Sequence, residues 1–94
     1  MKNLNREVAD GHAAEQLLEN PIYREALDKV KTGLIQAMAD SPMGDEKTHN
    51  RLVIALQLLN QIERNIKTVA ETGKIARIQI NQSLPQKLRA VAGL

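Results

Sequence analysis

The sequence predicts an all-α fold: an antiparallel helical hairpin with a short N-terminal helix and a small C-terminal appendage. Three observations predict it: a long amphipathic segment at residues 46–72, a helix-start signal at Asn20-Pro21, and a turn cluster at residues 40–45. A chain of 94 residues is short enough to form one small domain. We expect one helical domain over 1-94, with residues 1–11 flexible, the hairpin over 21–72 and a basic extension over 74–94.

The first helix is expected to be short. Residues 1–10 are mostly polar, and Gly11 is expected to interrupt a helix there. The segment from His12 to Glu19 then reads as a helix, with Asp10 as a candidate cap.

The second helix is predicted to begin at Pro21 and to run to about Ala39. Asn20 is a favoured N-cap, and proline suits the first helical position, where its missing N–H costs nothing. Gly33 lies mid-helix at a cost of about 1 kcal/mol relative to alanine, and its missing side chain would let a neighbouring backbone approach. One face is apolar at helical spacing, through Tyr23, Leu27, Val30, Leu34 and Met38.

The third helix is predicted over 46–72, with an apolar seam on a heptad repeat: Leu52, Ala55, Leu59, Ile62, Ile66 and Val69. Gly73 follows as an expected left-handed C-cap. Leu56 and Leu58 lie off the seam and widen the apolar surface. One neighbouring helix covers about one stripe, so two interpretations stay open. Either the seam packs on the preceding helix, or it forms the core of a bundle between subunits.

The segment at residues 74–82 has two interpretations. Ile78 and Ile80 alternate with polar residues, as in a short strand, whereas Ile75 and Ile78 are spaced as in a helical turn. A last short helix is predicted from Pro85 to Ala92.

The composition indicates a weak core. Tyr23 is the single aromatic residue, so aliphatic side chains must supply nearly all the apolar area. A chain this short has a large surface for its volume, and assembly into an oligomer would offset the shortfall. The chain has no Cys, which excludes disulfides, thiolate metal sites and a cysteine nucleophile.

The charge is unevenly distributed. Residues 1–45 carry five basic and eight acidic side chains, a net −3, whereas residues 46–94 carry eight basic and three acidic ones, a net +5. A basic C-terminal segment suits phosphate or an acidic protein surface. The candidate contacts are Lys74, Arg77, Lys87 and Arg89.

No cluster in the sequence indicates catalysis. His12 and His49 stand apart from any metal-ligand pattern, and Glu25 and Asp28 fit ordinary ion pairs with nearby lysines on a helix surface. Gly73-Lys74 lacks the rest of a phosphate-loop motif. We therefore expect no catalytic, cofactor-binding or metal site, and we expect that the protein is not an enzyme.

Three consecutive parts of the chain carry a resemblance to a known family. They are the segment Ala14-Glu-Gln-Leu-Leu-Glu-Asn-Pro-Ile-Tyr-Arg-Glu-Ala-Leu27, a turn, and a long helix ending Val69-Ala-Glu-Thr-Gly-Lys-Ile-Ala76. Over roughly residues 13–78 the chain is similar to short uncharacterised proteins of tailed bacteriophages, encoded in the head, portal or packaging gene region. The matching motifs are structural ones, an Asn-Pro helix start and a Thr-Gly-Lys helix end. Gly33 and the basic, isoleucine-bearing tail do not match. The resemblance implies a virion-associated or assembly-associated role and supplies no catalytic residues.

The hypothesis from sequence is therefore a non-enzymatic phage protein that self-associates through helices and docks on a larger partner such as a portal, capsid or packaging component. Its expected location is the host cytoplasm and/or the virion, since no signal-peptide core or membrane span is found. The alternatives are a small nucleic-acid-binding or regulatory protein and a phage inhibitor of a host factor. The expected interface residues are Tyr23, Leu27, Val30, Leu34, Leu52, Leu56, Leu59, Ile62, Ile66 and Val69.

Overall fold

The computed structural model describes residues 3–83, and nearly all of them belong to three helices: α1 (Leu4–Glu19), α2 (Pro21–Asp40) and α3 (Glu46–Ser83). The fold is all-α, as predicted, and no strand occurs over this range. Contacts divide the chain into two compact units. One unit runs from Leu17 to Asn65, and the other combines the segment up to Gln16 with the segment from Ile66 onward.

The predicted start of α1 is wrong, because the helix begins at Leu4 instead of His12. The side chain of Asn3 caps it: Asn3 Oδ1 accepts a hydrogen bond from the Arg6 N–H at 3.1 Å. Gly11 does not interrupt the helix and is buried in it. Its low helix propensity, about 1 kcal/mol relative to alanine, is offset by packing that only a glycine permits.

The predicted start of α2 is confirmed. Asn20 Oδ1 accepts hydrogen bonds from the backbone N–H groups of Ile22 at 2.9 Å and Tyr23 at 3.1 Å, which satisfies two of the donors left free at the helix start. The helix ends at Asp40, where the Ser41 hydroxyl donates to the Met38 carbonyl at 2.8 Å.

The predicted turn between the long helices is also confirmed, at residues 41–45. Gly44 has a φ of +93°, a conformation that strains other residues. Asp45 then caps α3, since its Oδ1 accepts a hydrogen bond from the Thr48 N–H at 3.1 Å.

The prediction that Gly73 ends the third helix is wrong. The helix continues to Ser83, and within residues 3–83 Gly44 is the only residue with a positive φ. Gly73 instead lies buried inside α3, where its missing side chain makes room for α1. The helical interpretation of residues 74–82 is therefore correct and the strand interpretation is not. The helix predicted at Pro85 to Ala92 lies outside the described residues.

The unit from Leu17 to Asn65 holds the predicted antiparallel hairpin of α2 and the first part of α3. A salt bridge joins the two helices, with Lys31 Nζ 2.9 Å from Glu63 Oε1. Both side chains keep only about a quarter of their surface exposed, at 25% and 24%. The short turn and this contact fix the register between α2 and α3.

The other unit has a core of small residues. Gly11 and Ala14 of α1 are buried, as are Ala70, Gly73 and Ala76 of α3. A Cβ atom built on Gly11 would lie 2.6 Å from the Cα atom of Gly73. The two backbones therefore touch directly, and no larger residue fits at either position. The prediction that Gly33 admits a neighbouring backbone is wrong, since nothing lies within 4 Å of its Cβ position.

Candidate interaction surface

The large apolar side chains are unevenly covered. Of the ten expected interface residues, seven are half-buried, namely Tyr23, Leu27, Leu34, Leu52, Leu56, Leu59 and Ile66. The other three, Val30, Ile62 and Val69, are exposed, so packing within the described chain leaves much of their surface uncovered. No large side chain within residues 3–83 is fully buried, and the buried hydrophobic residues are three alanines. Packing within the described chain thus covers only part of each apolar surface.

On α3, three of the exposed large apolar residues form a ridge. Ile54, Leu58 and Ile62 recur every fourth residue, which aligns them along one side of the helix. Each of them exposes slightly more than half of its surface, 53–57%. We call these three residues the α3 ridge.

On the side of α2 away from the exposed Ile35, apolar residues form a shallow stripe of mostly small side chains. We call this set the α2 stripe: Ile22, Ala26, Val30, Gly33 and Ala37. All are exposed except Ala37, which is half-buried. Gly33 has open space where a side chain would stand, so the stripe contains a gap at its middle.

The α2 stripe and the α3 ridge lie on the same side of the hairpin. In α2, the exposed Ala26 and Gly33 directly precede the half-buried Leu27 and Leu34. The same order holds in α3, where each ridge residue directly precedes a half-buried one. One residue corresponds to about 100° of helix rotation. In each helix, the exposed set is therefore rotated by one residue toward the N-terminus from the half-buried set. Because α2 and α3 are antiparallel, this rotation turns the exposed sets of both helices to the same side of the hairpin.

Covering this surface would stabilise the protein measurably. Full burial of a Val, Leu or Ile side chain is worth roughly 1.5–3 kcal/mol. Each ridge residue leaves about half of its surface exposed, so contact with another chain would contribute about 1 kcal/mol per residue. Several such contacts are of the size that association requires, because binding must offset lost translational and rotational freedom.

Two of the predicted basic contacts lie together. Lys74 and Arg77 are exposed and line a small cleft with His12, beside the contact of Gly11 with Gly73. Lys74 Nζ also lies 3.5 Å from Glu71 Oε1. The other two predicted contacts, Lys87 and Arg89, lie outside the described residues. The sequence could not predict that His12 joins this cleft, because α1 and α3 are distant in the chain.

The remaining polar candidates lie on helix surfaces. Glu25 and Lys29 form the expected surface pair at 3.2 Å, and His12 contacts Gln16 at 3.4 Å. Lys31, expected to pair with Asp28, contacts Glu63 instead. Within the part of the chain that the structure describes, no three His, Cys, Asp or Glu side chains converge to hold a metal ion.

Comparison with protein-family models, with curated proteins and with solved structures finds no match to this chain. The helices of residues 3–83 include none that combines the length and the apolar character needed to cross a membrane.

Proposed function

We propose that this chain is a non-enzymatic assembly protein of a tailed bacteriophage. It works by helical self-association and by docking on a larger partner such as a portal, capsid or packaging component. One observation carries the proposal: within residues 3–83, large aliphatic side chains of α2 and α3 are exposed, several of them along one side of the hairpin, while the buried hydrophobic residues are Ala14, Ala70 and Ala76. A second protein surface over these side chains would supply the core of large apolar residues that residues 3–83 lack by themselves.

The small core supports an assembled state on energetic grounds. Alanine has little apolar surface to bury, whereas chain entropy opposes folding at every ordered residue. Oligomerisation stabilises such a chain by burying further apolar surface in the assembled state. This chain has no Cys, so a disulfide is excluded as a source of stability.

The phage assignment is supported by the resemblance of roughly residues 13–78 to short proteins of the head, portal and packaging gene region. One of the two matching motifs has its expected form, the capped Asn-Pro start of α2. The expected Thr-Gly-Lys helix end lies inside α3 instead. The exposed apolar side of the hairpin fits an assembly role, in which a small protein contributes a helical surface to a larger structure.

The concentration dependence of thermal unfolding tests self-association. If folding is coupled to assembly, the unfolding midpoint rises with chain concentration by mass action. We expect an increase of several degrees between about 1 and 100 µM, followed by circular dichroism. A fully helical chain whose midpoint does not change over this range would contradict the proposal.

Mass spectrometry of purified particles tests the phage role separately. We expect peptides of this chain in mature virions or in assembly intermediates of the phage that encodes it. Absence from both would contradict the phage role and would leave self-association to be judged by the unfolding experiment.

A second candidate function is phosphate or nucleic-acid contact. The observation in its favour is the cleft that brings His12, Lys74 and Arg77 together. This function predicts an affinity that falls steeply with salt. Binding to DNA or RNA that is unchanged in a Lys74→Ala/Arg77→Ala double variant would contradict it.

A further inference from the structure

We propose that the occupant of the exposed apolar side is a second copy of this chain, with the α3 ridge of each copy packed on the α2 stripe of the other. This inference rests on the proposed self-association and specifies its geometry. The structure shows two unlike surfaces side by side on one face, a ridge of large residues and a shallow stripe of small ones. A surface that carries both is complementary to a rotated copy of itself.

The register of the hairpin places large residues level with small ones. The turn at residues 41–45 and the contact of Lys31 with Glu63 set this register. Side chains lean toward the N-terminus of their own helix, so the Lys31 and Glu63 backbones are offset along the pair, not level. This offset puts Leu58 near the height of Gly33, and Ile54 near the height of Ala37. In a pair of copies, Leu58 of one chain would enter the open space at Gly33 of the other. Ridges that enter grooves in this way are the usual mode of helix packing.

A twofold axis parallel to the helices produces this arrangement. Rotation about that axis brings α2 of one copy over α3 of the other and keeps both turns at the same end. Each helix then has only antiparallel neighbours, as in an antiparallel four-helix bundle. The contact is the same for both copies, so the assembly closes at two chains.

The charges at the turn end of this face favour a second copy. Arg51 lies one helical turn before the first ridge residue, and Asp40 lies one turn after the last residue of the α2 stripe. In the rotated pair, Arg51 of one copy lies level with Asp40 of the other, and the contact occurs twice. Opposite charges at matched positions guide the register of an interface.

A matched pair of substitutions tests which side is covered. Ile62 in the α3 ridge and Ile35 on the other side of α2 are nearly equally exposed, at 54% and 55%. By sedimentation velocity, Ile62→Glu should raise the dimer dissociation constant about a hundredfold, because the change occurs at two symmetric sites, about tenfold each. Ile35→Glu should change it less than about threefold. Equal effects, or a larger effect of Ile35→Glu, would overturn the proposed geometry.

Disulfide formation between copies tests the contact itself, because the chain has no native Cys. A mixture of Gly33→Cys and Leu58→Cys chains should form a disulfide-linked dimer of the two variants, since the two Cα atoms would lie within disulfide reach. Each variant oxidised alone should give much less dimer. A product dominated by like-with-like pairs would overturn the arrangement.

The outcomes separate this inference from the proposed function. If the wild-type chain assembles but the matched substitutions and the cysteine mixture both give the contrary result, the geometry proposed here is wrong and self-association stands. If the wild-type chain sediments as a folded monomer at all concentrations tested, the proposed self-association is wrong as well.

Discussion

Gly11 and Gly73 are in direct backbone contact: a Cβ atom built on either one would lie 2.6 Å from the Cα atom of the other. A Cβ on Gly73 would also lie 2.9 Å from the carbonyl oxygen of Glu7, and one on Gly11 would lie 3.1 Å from that of Val69. The obstructing atoms belong to backbone, which cannot rotate away as the end of a side chain can. The approach of α1 to α3 therefore depends on glycine at both positions.

We predict that Gly11→Ala and Gly73→Ala each destabilise the fold by about 2 kcal/mol. Alanine favours an isolated helix by about 1 kcal/mol over glycine, but overpacking of a close contact typically costs 1–3 kcal/mol, and here backbone must move. Urea unfolding followed by circular dichroism measures the difference. A gain in stability for either variant would show that the contact is not tight.

Gly33→Ala is the matched control, and we expect it to raise the free energy of unfolding instead of lowering it. Gly33 is also mid-helix, but nothing lies within 4 Å of its Cβ position. The helix-propensity gain then stands alone, so we predict stabilisation of about 0.5–1 kcal/mol. The same urea titration checks it, at a concentration at which the chain is monomeric, so that the proposed contact between copies does not contribute.

A second prediction concerns the N-cap of α2. Asn20→Ala removes the acceptor for the N–H groups of Ile22 and Tyr23, so we expect a loss of about 1 kcal/mol in the free energy of unfolding. Asn20→Ser keeps a capping oxygen and should lose much less. Equal losses for the two variants would mean that the cap hydrogen bonds contribute little.

A third prediction concerns the salt bridge between Lys31 and Glu63. Because both side chains are about three-quarters covered, a double-mutant cycle to alanine should give a coupling of about 1 kcal/mol. The exposed pair of Lys29 with Glu25, at 76% and 69% side-chain exposure, is the control and should give about 0.3 kcal/mol. A coupling for the first pair no larger than for the second would contradict the interhelical contact.

The parts of the fold that depend on neighbouring residues were predictable from the sequence. Asn20-Pro21 and the turn before Asp45 use local hydrogen bonds and fixed dihedral angles, so their chemistry is visible in a few residues. The start of α1 belongs to this class too. Its cap is the hydrogen bond from the Arg6 N–H to Asn3 Oδ1, only three residues away in the chain.

The role of Gly73 was not predictable in the same way. A glycine followed by a lysine is typical of a helix end, and only the position of α1 decides that this glycine belongs to a helix interior. The local clue was the small residues at every third position, Ala70, Gly73 and Ala76. Such a pattern allows close helix packing but does not identify the partner helix.

The candidate surface was predictable in part. The heptad spacing placed Leu52, Leu59 and Ile62 on one seam. The structure leaves Leu52 and Leu59 half-buried, but Ile62 exposed. Spacing shows that residues share a side of a helix, but how much of that side a neighbour covers depends on the crossing of the helices.

Sedimentation equilibrium of the intact chain tests the central claim most directly, because it measures mass without reference to shape. The monomer mass is 10.4 kDa. We expect a dimer or larger species at micromolar concentration, dissociating on dilution, with full helicity retained in the assembled form. A species of monomer mass at about 100 µM, with full helicity, would contradict it.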